Sequence, residues 1–227
     1  MESHTKEPQY DRCIALAREH PTELGLMSNQ IWHDDPKRLA FVLARYKFVA
    51  KMFTGLKKVL EIGCADAFAT RVVSQQVESL TAIDFDPVFI ADAKRHFDSR
   101  WPFETLTHDV LSGPLDRGFD GAYALDVIEH IAVADEDRFV GNMVKSLNRQ
   151  GVCILGSPSL ESQLYASAGS KAGHVNCKTG SDLKALMQRF FHNVFLFSMN
   201  DEVVHTGFEK MAHYLFVLGC ARRDEGN

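Results

Sequence analysis

The sequence lacks several features that would assign it to a familiar class at once. Its five cysteines lie far apart and form no CxxC pair, which argues against a zinc ribbon and a disulfide framework. It has no excess of positive charge, since the formal net charge is -5, and nucleic acid is therefore a poor expectation as a partner. No apolar run approaches the roughly 20 residues that span a bilayer, and the start, MESHTKEPQYDRC, lacks a signal peptide's apolar core. We therefore expect a cytoplasmic protein without a membrane or nucleic-acid partner.

What is present is an ordinary globular composition over 227 residues, with 45% hydrophobic and 24% charged residues. Residues 1–33 are polar, with a short helix near 11–19 as their main pattern, and we expect them to form an extension or a lid. An acidic pair and a proline at 34–36 predict a helix start, and apolar residues recur at helical spacing up to residue 53. We expect one domain over 34–227.

From residue 55 the pattern alternates between strands and helices. Strands are predicted at 58–63, 80–84, 103–108, 119–125 and 151–156, and helices at 68–77, 87–97, 135–147 and 181–191. Two final strands, 193–198 and 211–220, follow each other without room for a substantial helix. The expected fold is α/β, with a doubly wound, mostly parallel sheet and a C-terminal antiparallel hairpin.

Ligands of such sheets bind beyond the carboxyl ends of the strands, so the residues there are the candidates for a site. The first strand ends in VLEIGCADAF, where Gly63 lets the backbone approach a ligand. The second ends in DFD, and Asp84 lies at the distance from Gly63 at which an acidic side chain reaches a ribose. The third ends in HDV and the fourth in LDVIEH. Each signal alone is weak, because an aspartate at a strand end is usually a helix cap, but four in register indicate a nucleotide-like cofactor.

The segments VLEIGCADAF, LTAIDFDP, THDVL and FDGAYALDVIEHI resemble the successive motifs of class I S-adenosylmethionine-dependent methyltransferases, especially the ubiquinone O-methyltransferase-like group. The resemblance covers residues 56–157 and implies a seven-stranded Rossmann-like sheet whose last strand is inserted antiparallel. It also implies S-adenosyl-L-methionine as the cofactor. The implied contacts are the methionine part over Gly63, Cys64 and Ala65, with Glu61 supporting the loop; the ribose at Asp84; the adenine at Phe85, Asp109 and Val110; and the amino group near Asp126.

The sequence departs from the family at Ala65 and Ala67, where glycine is common. We expect Ala65 to have a negative φ, with its methyl group turned away from the cofactor, because alanine avoids positive φ. A nicotinamide-dependent dehydrogenase is the competing interpretation. It would need a fuller G-x-G-x-x-G, which this chain lacks.

Candidate catalytic residues are His130, which follows the fourth strand, and His174, in the long loop after the fifth strand, because an imidazole can take a proton near neutral pH. Candidate substrate-binding residues lie on the same loop, on the loop after the sixth strand and near the N-terminus: Tyr165, Lys171, His205, Trp32 and Arg45. The fold could bring Glu129, His130 and His174 together, but spacing alone is weak support, and we expect no required metal.

The expected enzyme transfers a methyl group to an oxygen of a small, polar, anionic metabolite, phosphorylated or sugar-linked. The tail segments faintly resemble methyltransferases encoded with bacterial surface-polysaccharide genes, including enzymes that methylate capsule phosphoramidates, and this favours a role in capsule polysaccharide modification. N-methylation of a small amine or a protein and a non-catalytic cofactor sensor remain alternatives. The sequence does not define the oligomeric state, and a homodimer stays open.

Overall fold

The protein is described by a computed structural model over residues 5–223; residues 1–4 and 224–227, at the ends of the predicted extension and domain, lie outside the described residues. Helices span α1 Asp11–Glu19, α2 Leu26–Asp34, α3 Pro36–Met52, α4 Thr70–Ser74, α5 Pro87–Arg95, α6 Glu136–Lys145, α7 Ala168–Gly173 and α8 Gly180–Gln188. Strands span β1 Lys58–Ile62, β2 Ser79–Asp84, β3 Glu104–Thr107, β4 Phe119–Leu125, β5 Leu147–Pro158, β6 Phe191–Asn200, β7 Val203–His205 and β8 Tyr214–Arg222.

The strands form one sheet in the order β3-β2-β1-β4-β5-β8-β6-β7. β1 to β5 pair in parallel, and β8 lies antiparallel between β5 and β6. The predicted fold class and its antiparallel end are confirmed. The sheet has eight strands instead of the expected seven because Asp201, with φ 50°, turns the chain back so that β7 pairs with β6.

The core lies on both faces of the sheet because successive side chains of a strand point to opposite faces. On β1, Val59 packs into one buried cluster and Leu60 into the other. The first face is covered by α3, α4 and α5, through residues such as Val49, Val73 and Ile90. The second face is covered by α6 and α8, through Phe139, Val140, Leu183 and Leu186. This double covering leaves the carboxyl ends of the parallel strands as the accessible edge.

Besides the extra strand β7, three helices differ from the predicted pattern. α2 is additional, and its sequence LMSNQIWHD buries only Ser28, so it has no apolar stripe for a sequence to reveal. α4 begins at Thr70 instead of residue 68, because the preceding residues form a loop. α7 lies within the segment that we expected to be an irregular loop.

The start of α3 follows from its sequence. Asp35 accepts a hydrogen bond from the N–H of Lys37 at 3.3 Å, and Pro36 occupies the first turn. Among residues 5–223, no helix is long and apolar enough to cross a membrane. All five cysteines are unpaired.

Candidate active site

The loop after β1 is built around Gly63. The N–H groups of Gly63 and Cys64 donate to the carbonyl oxygen of Ile83 on β2, at 2.8 and 3.1 Å. Gly63 has φ 76°, and a Cβ atom there would lie 2.4 Å from Cγ2 of Val127. The backbone conformation and the packing of Val127 therefore require glycine here, whether or not a ligand binds.

The two alanines of this loop adopt a glycine-like conformation. Ala65 has φ 47° and Ala67 has φ 53°, so the prediction of a negative φ at Ala65 is wrong. The N–H of Ala65 donates to Oδ2 of Asp84 at 3.0 Å, and the N–H of Ala67 donates to the carbonyl of Cys64 at 2.8 Å. These hydrogen bonds hold a left-handed backbone that costs alanine about 1–2 kcal/mol per residue.

Asp84, at the end of β2, is a buried carboxylate that orders two loops. Its Oδ2 accepts the N–H of Ala65, and its Oδ1 accepts the N–H of Asp86 at 2.9 Å. Each oxygen keeps a second lone pair, so further hydrogen bonds can be accepted. Phe85, the next residue, is 72% exposed. A flat apolar side chain thus follows an acceptor carboxylate.

Asp109 and Val110 follow β3. Oδ1 of Asp109 accepts the N–H of Leu111 at 2.8 Å and so caps the short helical turn Val110–Ser112. Val110 is buried and belongs to the core. The capping role, the commoner one for such an aspartate, is therefore present, and the proposed contacts of both residues with adenine stay predictions.

Asp126, after β4, forms a charged pair with Arg45. Nη1 of Arg45 donates to Oδ1 and Oδ2 of Asp126 at 2.8 and 2.6 Å. The guanidinium carbon lies 3.9 Å from the ring centroid of Tyr214. Burial on its own would lower the pKa of Arg45, but the charge and hydrogen bonds of Asp126, together with Tyr214 and Glu129, outweigh it and the pKa is raised. Arg45 thus stays charged and orients the Asp126 carboxylate.

Glu61 connects the start of the loop to α3. Its side chain is 1% exposed, and Oε1 accepts a hydrogen bond from the hydroxyl of Tyr46 at 2.7 Å. Burial raises the pKa of Glu61. This contact links the base of the loop to α3, and the supporting role of Glu61 towards the cofactor stays a prediction.

The candidate catalytic histidines lie side by side. The ring centroids of His130 and His174 are 5.2 Å apart. The N–H groups of Val175 and Asn176 donate to the carbonyl of Glu129 at 2.8 and 3.0 Å, which fixes the long loop against the end of β4. Spacing in the sequence allowed this proximity but supported it only weakly, because it depends on the path of the long loop.

Electrostatics distinguish the two ionisable groups of this region. Burial, followed by the negative charge of Asp126, raises the pKa of Glu129 to about 8. Burial, followed by the positive charge of His130, lowers the pKa of His174. A neutral imidazole at His174 is therefore favoured near pH 7.

A pocket of about 520 Å³ opens over this edge of the sheet, within the usual range for ligand sites. Its lining brings together these predicted residues: Gly63, Cys64, Ala65 and Asp126 of the cofactor set, His130 and His174 of the catalytic pair, and Arg45 and Tyr165 of the substrate set. Of the predicted substrate residues, Trp32, Lys171 and His205 lie outside this lining. Five of the predicted cofactor residues also lie outside it: Glu61, Asp84, Phe85, Asp109 and Val110. His205 instead bonds through Nε2 to Asn200 Oδ1 at 2.9 Å.

α2 closes one side of this pocket. The N–H and hydroxyl of Ser28 donate to the carboxylate of Asp66 at 2.6 and 3.1 Å. Gly25, before the helix, has no room for a side chain, since a Cβ atom would lie 2.4 Å from Cβ of Asp66. Met27 and Ile31 line the pocket. These contacts could not be predicted from the sequence because α2 has no amphipathic pattern.

Other lining residues were also missed, among them Gln163 and His213. One signal was present: Arg38, Val42 and Arg45 recur at helical spacing on α3 and all line the pocket. No local pattern distinguishes Gln163.

Comparison with known proteins indicates the class of protein that this chain resembles. Residues 60–155 match the family described as a methyltransferase domain. The N-methyltransferase NodS of Bradyrhizobium japonicum, solved in complex with S-adenosyl-L-homocysteine, superposes with a TM-score of 0.62 over 93% of this chain and 98% of its own, at 19% identity. A TehB-like S-adenosylmethionine-dependent methyltransferase from Corynebacterium glutamicum gives 0.59 over 94% and 96%, at 15% identity. At these identities the superpositions establish the fold.

The domain match over residues 60–155, the sheet order and the superpositions support a class I S-adenosylmethionine-dependent methyltransferase domain. The resemblance found in the sequence and the cofactor that it implies are confirmed. Within this class the chain is similar to the ubiquinone biosynthesis O-methyltransferase of Psychrobacter arcticus, at 24% identity over 147 residues, which are 62% of this chain and 56% of the relative. The enzyme of Psychrobacter cryohalolentis matches to the same extent. The chain thus spans about half the length of the curated relatives that it matches.

The residues present fit this cofactor. Asp84 retains acceptor lone pairs next to the exposed Phe85, as a ribose beside an adenine requires. The Asp126 side chain is 36% exposed and lines the pocket, where a carboxylate can face an ammonium group. Because Gly63 has no side chain, its backbone in this turn is left uncovered.

Proposed function

We propose that the protein is an O-methyltransferase that acts on a small, polar, anionic metabolite, phosphorylated or sugar-linked, in the modification of a surface polysaccharide. The observation that carries the proposal is the wall of the pocket away from the cofactor loop. It presents cationic and hydrogen-bonding groups from four parts of the chain: Arg38, His130, Ser162, Gln163, Ser170, His174 and His213. Such groups suit a phosphate or sugar better than a wide apolar ring system. A cytoplasmic location stays a prediction.

S-adenosyl-L-methionine, when bound, supplies a methyl group on a sulfonium sulfur. In this proposal the backbone of 63–65 would lie beneath its methionine part, Asp84 would hold the ribose, and Asp126 would face the amino group. Phe85, Asp109 and Val110 would form the adenine side. The chain's own part is to align the acceptor oxygen with the methyl carbon, so that the oxygen–carbon bond forms as the carbon–sulfur bond breaks.

A neutral hydroxyl acceptor must also lose its proton during the transfer. We place this hydroxyl against Nε2 of His130 and His174, because Nδ1 of each ring is held in a hydrogen bond at 2.9 Å, to Gly173 and Gln163 respectively. The lowered pKa of His174 keeps its imidazole neutral and able to take the proton. A phosphate or carboxylate acceptor is already anionic and needs no base.

The remaining substrate-binding candidates also have places in this proposal. Tyr165, which is 90% exposed, and Arg45, whose side chain is 15% exposed, both line the pocket and would contact the acceptor. Trp32, Lys171 and His205 would reach it only if the loops that carry them close over the bound ligands.

The test is turnover with S-adenosyl-L-methionine and a panel of acceptors: sugar phosphates, nucleotide sugars, catechols and primary amines, analysed by mass spectrometry and fragmentation. We expect methylation on oxygen of the anionic sugars. Methylation confined to amines or to catechols would contradict the proposal, and cofactor binding without turnover on any acceptor would favour a sensor.

The proposed role of His174 in taking the proton is tested by comparing two histidine variants. With a neutral hydroxyl acceptor, His174→Ala is expected to lower kcat by about 100-fold, whereas His192→Ala, at an exposed position on β6, keeps the wild-type rate. Equal rates in the two variants would instead indicate catalysis by alignment alone.

A further inference from the structure

Glu129 is a buried carboxylate with no donor at close hydrogen-bond distance from either oxygen. Its side chain is 1% exposed, and both oxygens lack such a donor among the described residues. The hydroxyl of Ser157 favours the ionised form, but by less than burial disfavours it. Burying an ionised carboxylate is unfavourable unless a cation or hydrogen-bond donors face it. The nearby guanidinium of Arg45 donates to Asp126 instead. The position of Glu129 therefore points to a partner that the protein chain itself does not supply.

The two histidines beside Glu129 each present an unprotonated nitrogen. Nδ1 of His130 lies 2.9 Å from the carbonyl oxygen of Gly173, which can only accept, so this Nδ1 carries the hydrogen. Nδ1 of His174 lies 2.9 Å from Oε1 of Gln163. The amide nitrogen of Gln163 donates to the carbonyl of Ser159 at 3.3 Å, which fixes the orientation of the amide. In both neutral rings the Nε2 lone pair is left for a ligand.

We propose that Glu129, His130 and His174 form a binding site for one divalent transition-metal cation. One ligand atom from each residue lies within 4.8 Å of the other two. Atoms bonded to one cation at about 2.0–2.2 Å are at most about 4.4 Å apart, so small side-chain rotations complete the site. The hydrogen bonds to Gly173 and Gln163 are the outer contacts that metal-ligating histidines make.

This inference replaces the expectation of no required metal. That expectation rested on spacing in the sequence, and the proximity of the three residues comes from the backbone hydrogen bonds that hold the long loop against Glu129. The proposed site uses neither Asp126 nor Arg45, so the ion pair between them stays intact.

The ligand set indicates the kind of cation. Two imidazole nitrogens and one carboxylate oxygen suit Zn²⁺, Mn²⁺, Fe²⁺ or Co²⁺ better than Mg²⁺ or Ca²⁺, which prefer oxygen ligands. Three protein ligands leave coordination positions open, as in catalytic sites and unlike closed structural sites. Glu129, His130 and His174 all line the pocket, so a small molecule in it can reach those positions.

The role of the cation rests on the proposed function. An acceptor oxygen bound at an open position loses its proton to water more readily, and a phosphate oxygen there is held in place. The two imidazoles would then act as metal ligands instead of taking the proton themselves. The acceptor class is thereby narrowed to oxygens that can chelate, such as a hydroxyl next to a phosphate or to a second hydroxyl.

The site can be tested without an acceptor. The full chain, stripped with a chelator, is titrated with Mn²⁺, Zn²⁺ or Co²⁺ by calorimetry, and the visible spectrum of the Co²⁺ form reports nitrogen and oxygen coordination. We expect one cation per chain. Glu129→Gln and His174→Ala should each weaken binding more than about tenfold, and Gln163→Leu should weaken it about 10–100-fold. The matched control His192→Ala should bind as wild type does.

Binding of S-adenosyl-L-homocysteine to the same variants shows that they are folded. A wild-type chain that binds no cation, or whose affinity is unchanged in both Glu129→Gln and His174→Ala, overturns the site. Cation binding at the cluster without methylation of any acceptor supports the site while the proposed function fails. Turnover that a chelator leaves unchanged, in a chain without bound metal, overturns the role of the cation in the reaction and leaves the proposed function standing.

Discussion

Ala65 and Ala67 show how far a loop's conformation depends on contacts outside it. Both have positive φ, a conformation that glycine adopts without steric cost. The hydrogen bond from Ala65 to Asp84 holds this conformation against the preference of alanine. The sequence identified the loop and its acidic partner, but it could not identify the φ, because that value follows from a hydrogen bond between two strands.

Replacing either alanine with glycine should therefore stabilise the protein. Relief of the left-handed strain, about 1–2 kcal/mol, exceeds the entropic cost of glycine, about 0.5–1 kcal/mol. Ala65→Gly and Ala67→Gly are each expected to raise the free energy of unfolding by about 0.5–1 kcal/mol, measured by urea denaturation. Ala93→Gly, inside helix α5, is the matched control and should lower it by about 1 kcal/mol. A lower free energy of unfolding in all three variants would show that Ala65 and Ala67 are not strained.

The helix α2 and the cofactor loop form one contact at the scale of elements. Ser28 donates two hydrogen bonds to Asp66, and Gly25 packs against the same carboxylate. Periodicity predicts helices that bury an apolar stripe, so it identified α3 and failed for α2. What attaches α2 is a polar contact to a distant loop, which no local pattern encodes.

Gly25→Ala tests this contact. The added methyl group would overlap Asp66, so α2 should move off the loop. We expect faster hydrogen exchange in Leu26–Asp34 and a several-fold weaker affinity for S-adenosyl-L-homocysteine. Gly141→Ala, whose Cβ would meet its nearest neighbour at an ordinary 3.6 Å, is the control and should change neither. Unchanged exchange in Gly25→Ala would mean that α2 does not depend on this packing.

A second connection between elements is the ion pair of Glu136 and Lys178. Lys178 Nζ lies 2.6 Å from Glu136 Oε2, and Asn176 donates to the same oxygen at 3.1 Å. Partial burial on its own raises the pKa of Glu136, but the hydrogen bonds and the charge of Lys178 outweigh it, and the pKa lies below its ordinary 4.5. The pair ties α6 to the segment that follows His174.

The lowered pKa of Glu136 gives a pH dependence with a definite sign. The folded state holds the ionised carboxylate better than the unfolded state does, so the stabilisation is complete above pH 4.5 and is lost as the pH falls through the folded pKa. Glu136→Gln should lower the free energy of unfolding by about 1 kcal/mol at pH 7 and have less effect in acid. Urea denaturation over this pH range measures it, with the exposed Glu78→Gln as control. If Glu136→Gln lowers the free energy of unfolding by the same amount at every pH, the ion pair is not the cause.

At the scale of the whole molecule, the alternation of strands and helices was enough to predict the sheet, because buried parallel strands are apolar and regularly separated. Phe119–Leu125, for example, has the predicted bounds. The cofactor side of the site could be predicted for the same reason: adjacent parallel strands end at one edge, so Gly63, Asp84 and Asp126 had to meet there. The side of the site that would bind the methyl acceptor could not be predicted from the sequence. His174 reaches His130 through a long loop whose path depends on tertiary contacts.

The central claim is that this edge of the sheet binds the methyl-donor cofactor, and calorimetry with S-adenosyl-L-homocysteine tests it most directly. We predict one molecule bound per chain. Asp84→Ala should bind at least about tenfold more weakly, since each charge-assisted hydrogen bond contributes about 1.5–3 kcal/mol, and Asp116→Ala, at an exposed position, should bind normally. No binding to the wild-type chain at millimolar concentration, or equal affinity in Asp84→Ala with the fold intact, would contradict the claim.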